Sequence, residues 1–455
     1  MMGTHFSEES GGVPPGKATP MELEGLFAKH VDRLQQETEK ILGETGLDSL
    51  VVSSGAPFTY FADDRDAPFE PIPHFAHWCP LIGPHHLLHI VPGRRPRVIR
   101  FAPEDYWYEQ GGVTEAFWLP AFDLEEAGTL DTVWERLGQP KRAAYVGNET
   151  DRATAAGLAT NPKELVSHLD WVRSYKDEYE IQALEEATVL GARGHRAGRE
   201  AFAGGASELE IHQAFVQAVG TTEAALPYTT IVALDDKGAT LHYESKRTVG
   251  GGQVLLLDAG AQVHHYASDI TRTTAAPSCD PRLAAIIRSM DALERDLADA
   301  SVPGRPYLEI HVEAHRGIAR ILSEHGLVKV GADEAFEKGL THPFFPHGIG
   351  HHLGIQVHDV AGKQSDPGGT PAPPPKEYPY LRNTRTIEPG HAFTIEPGLY
   401  FIPMLLRAFR SGSDASSFDW DTIDALTPLG GVRVEDNVVV TESGPRNLTR
   451  EHLAD

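Results

Sequence analysis

The sequence predicts two domains: an α/β domain over roughly the first 170 residues, and a second domain that carries the chemistry. Three observations predict this. At 455 residues the chain exceeds what one domain usually holds. Short apolar runs alternate with helical patterns up to about residue 160, as in a sheet layered with helices. Five candidate metal ligands are spread over roughly the last 200 residues: Asp258, Asp269, His351, Glu396 and Glu435.

Residues 1–20, rich in Gly, Ser and Pro, predict a disordered tail. From Met21 to Leu42, Leu23, Leu26, Phe27, Val31 and Leu34 recur at helical spacing. SLVVSSG (49–55), HHLLHIVPG (85–93), RVIRFAP (97–103) and KRAAYVGNET (141–150) read as strands, with helical stretches at 129–137 and 152–159. A long helix starts near Asp177, with Ile181, Leu184, Ala187 and Leu190 along one face, and the domain boundary falls at 170–175. The chain is thereby divided into 1–20, 21–172 and 173–455. Ser207 and Glu210 form a capping box that restarts a helix. The PAPPP run within 362–391 excludes a helix and favours a loop that carries residues into a pocket.

Composition excludes several classes. A net charge of −25 argues against nucleic acid and against anionic membrane surfaces. Hydrophobic content of 40% suffices for a buried core. Two cysteines, Cys79 and Cys279, make no disulfide framework and read as reduced thiols. The N-terminus lacks the basic start and apolar run of a signal peptide, and no stretch reaches a membrane-spanning length. These features predict a soluble, cytoplasmic protein.

The five candidate ligands make a chemical argument. Four carboxylates and one imidazole, buried side by side, cost several kcal/mol per uncompensated ion, and crowded acids otherwise take up protons. Two divalent cations resolve both problems. An oxygen-rich set with one histidine suits Mn, with Co or Zn as alternatives, better than a structural zinc. Val254 to Leu257 reads as a buried strand delivering Asp258, with a turn at Gly260 and a second strand returning through Val263 and Tyr266 to Asp269. Gly348 and Gly350 make the stretch His347–His351 a loop whose backbone passes close to the site. The adjacent His352 stays open as a ligand. Phe393 to Glu396 alternates in strand register. Arg433 shares a strand face with Glu435, where it orients a ligand carboxylate and balances charge.

These segments resemble the "pita-bread" metallopeptidases, the family of methionine aminopeptidase, aminopeptidase P and prolidase. FFPHGIGHHLGIQVHDV, YLRNTRTIEPGHAFTIEPGLYFI and PLGGVRVEDNVVV are most similar to bacterial prolidases, a subgroup that includes the organophosphorus acid anhydrolases. The resemblance is strong over 173–445 and weaker over 20–172, with 103–140 matching poorly. It implies an α/β N-terminal domain plus an α+β pita-bread catalytic domain. It implies that Asp258 holds one ion, that Asp269 and Glu435 bridge two, and that His351 and Glu396 complete the site.

The same resemblance implies a metal-dependent Xaa-Pro dipeptidase acting on dipeptides with a C-terminal proline. Glu396 is the candidate base. His242 and His358 are candidates to stabilise the oxyanion or shuttle protons, and His347 lies nearby in the pocket. Arg382, with Arg385 as the alternative, takes the proline carboxylate. Tyr228 lines the proline slot. Asp64, on a loop that in relatives reaches the other subunit's site, takes the substrate ammonium, and a homodimer follows from that. An aminopeptidase P and a phosphotriester hydrolase are the nearest alternatives. A metal-free peptide-binding module is disfavoured because all five ligands are present.

Overall fold

The computed structural model describes residues 19–107 and 113–453. Of the expected tail, residues 1–18 lie outside the described residues, whereas Thr19 and Pro20 already open the first helix. Thr19 and Glu22 form a capping box there, a signal overlooked in the sequence, and α1 (Pro20–Thr45) ends at Gly46 in the left-handed region. The expected helix is real but longer at both ends.

The N-terminal sheet has six strands: β1 (Ser49–Ser53), β2 (Leu87–Ile90), β3 (Arg97–Phe101), β4 (Asp123–Ala127), β5 (Ala143–Val146) and β6 (Ala159–Thr160). Their order is β4-β3-β2-β1-β5-β6. Antiparallel pairs join β1 to β2 and β2 to β3, and the other neighbours are parallel. Helices cover both faces, among them α2 (Pro73–Trp78), α3 (Leu130–Leu137), α4 (Thr150–Ala155) and α5 (Lys163–Arg173).

The second domain opens with α6 (Glu178–Ala203), capped by an Asp177–Glu180 box, and α7 (Glu208–Val219), capped by the expected Ser207–Glu210 box. Three small antiparallel sheets and one separate two-stranded hairpin follow. The first sets β8 (Val254–Asp258) between β7 (Ile231–Leu234) and β11 (Thr271–Ala275), with a two-residue hairpin of β9 (Gln262–Val263) and β10 (Tyr266–Ala267) inserted before β11. Helix α8 (Pro281–Asp299) packs against β11, and α9 (Tyr307–Glu324) packs on α8. The second pairs β12 (Ala392–Ile395) with β15 (Asp436–Thr441) and β16 (Gly444–Asn447), and the third pairs β13 (Gly398–Tyr400) with β14 (Gly431–Arg433). This is the expected α/β plus α+β architecture. The segment 362–391 contains no helix.

The domains share one apolar core. Phe27, Trp78 and Val172 pack with Tyr179, Leu184, Tyr266, Leu353 and Val439. A buried ionic joint lies beside it. Arg173 donates to Asp359 at 2.5 Å and to Gln356 at 3.0 Å, and the Lys176 ammonium reaches the other Asp359 oxygen at 3.0 Å. All three ionic side chains are about 1% exposed. Burial alone would raise the Asp359 carboxyl, but Arg173 and Lys176 hold it well below the usual carboxylate range.

Asp359→Ala strands two buried cations, so it is expected to cost about 3–5 kcal/mol, read from denaturant midpoints. The native carboxyl is depressed, so its stabilisation is present above the ordinary carboxylate range and fades as pH falls below it. The wild-type advantage over the variant should therefore shrink on acidification. An advantage that does not change with pH contradicts the joint.

Candidate metal centre

Asp258 ends the fully buried strand β8, and its Cα partner across the ladder to β11 is Thr271. Asp269 thus precedes β11 by two residues. The expected hairpin through Val263 and Tyr266 is corrected here: those residues form the inserted β9–β10 turn, and the pairing that unites the two acids comes from β11. Gly260 permits the crossing, since a Cβ there would sit 1.9 Å from the Ser268 carbonyl oxygen. A bridge between Thr271 and Glu435 then attaches Glu435 to the same edge. Glu396 ends the expected strand register, and its amide donates to the Ile349 carbonyl at 2.8 Å. That bond ties Glu396 to the loop carrying His351. Gly350, at φ 157°, lets this loop lie on β12, because a Cβ there would come within 2.0 Å of the Thr394 carbonyl.

The five side chains converge. Ligand atoms of Asp269, His351 and Glu435 lie within 4.8 Å of one another, and all three residues are buried. His351 Nε2 is 3.5 Å from Asp269 and 3.8 Å from Glu396. Its Nδ1–H donates to the His352 carbonyl at 3.0 Å, so Nε2 is the ring nitrogen that faces the acids. Asp258 joins Asp269 through Tyr228, whose hydroxyl contacts the two carboxylates at 2.9 and 2.5 Å.

Electrostatics describe a site short of positive charge. Burial raises Asp258 and raises Glu435 well above the usual range, with Asp269 and Glu396 adding to the latter. Burial pushes Glu396 up to about 7. Burial raises Asp269, but His351, Tyr228 and His358 together bring it below the ordinary value, and Asp269 and Glu396 raise His351 against its burial. Glu435 Oε1 is buried with no hydrogen-bond partner. A donor set of carboxylates and one deprotonated imidazole nitrogen, with an orphaned oxygen facing in, fits hard divalent cations.

Arg433 sits beneath these acids. It donates to Asp258 at 2.5 Å, to the Tyr400 hydroxyl at 3.0 Å and to Thr271 at 3.2 Å. Tyr400 in turn hydrogen-bonds His347 Nε2 at 2.9 Å, and His347 Nδ1 lies 3.6 Å from Glu396. Burial, helped by Arg433, pushes His347 down to about 3, so it works as a neutral ring. Sequence reasoning missed Tyr400, Thr271 and Asn437, whose amide oxygen accepts from the Asp269 N–H. A signal existed: each lies two to four residues from a candidate ligand, in register on a strand.

A cavity of about 720 Å³ opens onto the acids, lined by Tyr228, His242, Asp258, Asp269 and His358. His358 lies edge-on to His351 with ring centroids 4.3 Å apart, and burial pushes its imidazole down to about 4. Tyr228 was expected as a wall for a ring. It does line the cavity, and it also orients two ligand acids. His352 packs against His391 at 5.0 Å, outside the ligand cluster. Arg385 is committed to Ser174, Tyr175 and the face of Trp171, which removes it as a carboxylate receptor. Arg382 is exposed and lowers the basicity of His358, but it does not line the cavity. Asp64 is exposed on a turn where its amide bonds Asp63, and it does not reach this cavity. Glu70, six residues further on, does.

Residues 182–442 match the model of metallopeptidase family M24, and residues 25–171 match that of the Xaa-Pro dipeptidase N-terminal domain. The chain belongs to metallopeptidase family M24, and is a hydrolase. It is similar to the Xaa-Pro dipeptidase of Aeromonas hydrophila subsp. hydrophila, with 41% identity over 433 residues, 94% of this chain and 98% of that protein. The Xaa-Pro dipeptidase of Stenotrophomonas maltophilia is also 41% identical, over 94% of this chain and 97% of its own length. Among solved structures, proline aminopeptidase P II from Yersinia pestis shares the fold at a TM-score of 0.71 and 21% identity, covering 95% and 97% of the two chains.

Tyr228→Phe removes one hydroxyl that touches two ligand carboxylates. It is expected to weaken divalent-metal binding by about 10- to 100-fold, the cost of losing an outer-shell partner, with an unchanged circular dichroism spectrum. Calorimetric titration of metal into the apo-protein reads this, and equal affinities refute it.

Proposed function

We propose that this protein is a Xaa-Pro dipeptidase, cleaving the bond before proline in dipeptides with a pair of divalent metal ions, manganese first among them. The observation that carries the reading is the clustering of Asp258, Asp269, His351, Glu396 and Glu435, with Asp258 and Asp269 facing the cavity, in a chain that matches the dipeptidase N-terminal domain as well as the M24 domain.

Asp258, Asp269, His351, Glu396 and Glu435 hold the ions, which, when bound, acidify a water and polarise the scissile carbonyl. Tyr228 and Arg433 fix Asp258 so that its oxygens keep one orientation. Glu396 takes a proton from the attacking water and delivers it to the proline nitrogen as the bond breaks. His242 and His358, both at the cavity wall, hold the developing oxyanion by donating ring N–H groups. His347 buttresses Glu396. Arg382 pairs with the substrate carboxylate once a dipeptide is bound. Asp64 is kept for the substrate ammonium only as a residue supplied from a second subunit, because it stands outside the cavity of its own chain. A homodimer, a cytoplasmic location and a domain division at 172/173 belong to the same proposal. No described helix is long and apolar enough to cross a membrane.

Ala-Pro should be hydrolysed by manganese-loaded protein, and far faster than Ala-Pro-Ala or a phosphotriester. Chelation should abolish the rate and added metal restore it. Glu396→Gln should lower kcat by about 10²–10⁴, and Arg382→Ala should act mainly on KM. Faster cleavage of the tripeptide would favour an aminopeptidase, and faster cleavage of the phosphotriester an esterase.

A further inference from the structure

The cavity wall is unbalanced in charge beyond the metal acids. Glu70 enters it from the N-terminal domain, three residues ahead of α2, and Glu244 enters from the catalytic domain, two residues after His242. No lysine or arginine is among the described lining residues. The nearby Lys246 ammonium, which is not among the lining residues, donates to the carbonyls of Thr230 and Glu244, each at 3.0 Å, and its charge also acts on the Glu223, Glu244 and Glu208 carboxylates. Partial burial already raises the Glu70 carboxyl from its ordinary value, so this acid gains from an opposite charge. The apolar side chains of Ile72, Ala76 and Ile231 line the same cavity as the two acids and the metal-site residues Asp258 and Asp269. They suit a methylene stem that ends in a cation.

We propose that Glu70 and Glu244 form a cation-selecting subsite, so that dipeptides carrying lysine or arginine before proline are the preferred substrates. The inference rests on the dipeptidase reading and names its substrate class. A long basic side chain lies along Ile72 and Ile231 and brings its charge to the two carboxylates. A glutamate in the same place meets repulsion from both. The cavity, at about 720 Å³, has room for such a side chain beside the proline ring.

The test compares lysyl-proline with norleucyl-proline, which has the same stem and no charge, on the manganese-loaded enzyme and its Glu70→Gln and Glu244→Gln variants. The wild type should favour lysyl-proline by about tenfold in kcat/KM, chiefly through KM. The ratio should fall as salt rises, and toward one in the double variant. Glu70→Lys should shift the preference toward glutamyl-proline. A wild-type ratio near one overturns the proposal, and so does a ratio the variants leave unchanged. An equal loss for both dipeptides also overturns it, because the acids would then bind the ammonium common to every substrate. If neither dipeptide is cleaved, the dipeptidase reading fails. Calorimetric binding of the two dipeptides still decides the charge preference in that case.

Discussion

Four carboxylates buried against one another set the terms for everything around them. Each loses most of its hydration, and each raises its neighbours' resistance to ionisation, as Glu435 shows most strongly. The protein supplies part of the compensation itself. Arg433 contacts Asp258, His351 faces Asp269, and the Tyr228 hydroxyl lies within hydrogen-bond distance of two acids. Glu435 Oε1 is nonetheless left without a partner. Protein groups alone leave that oxygen unsatisfied, and bound cations complete the account.

The fold reads as the means of bringing these acids together. Antiparallel pairing of β8 and β11 places Asp258 near Asp269, and the Thr271–Glu435 bridge adds the third acid. The close approach of the Gly350 loop to β12 adds His351 and Glu396. No single segment could do this, since the ligands come from strands and loops separated by up to 177 positions, from Asp258 to Glu435. The N-terminal domain is joined to this scaffold through a common apolar core and the Asp359 joint, and its residues 70–73 and 76 complete the cavity wall.

Much of this was legible in the chain. The ligands sit in short motifs whose residue types make chemical sense only together, and the capping boxes at Asp177 and Ser207 mark helix starts by local hydrogen bonding. Other features were not legible. The β9–β10 hairpin looked like the strand leading to Asp269, because apolar alternation does not say which strand is the partner. β4 reads DLEEA, and an edge strand with acids on it carries little apolar signal. α2 is six residues long, too short for helical periodicity to show. Asp64 and Glu70 lie in the same aperiodic stretch, and only the tertiary path shows that Glu70 faces the cavity. Arg385 looked as available as Arg382 until its contacts with Trp171 and Tyr175 were seen.

The central claim is tested most directly by anomalous diffraction from crystals of the manganese-loaded protein. Two peaks per chain are expected, one beside Asp258, Asp269 and Glu435 and the other among Asp269, His351, Glu396 and Glu435. Crystals grown in excess manganese that show no peak at these acids, or manganese bound only elsewhere, would contradict that claim.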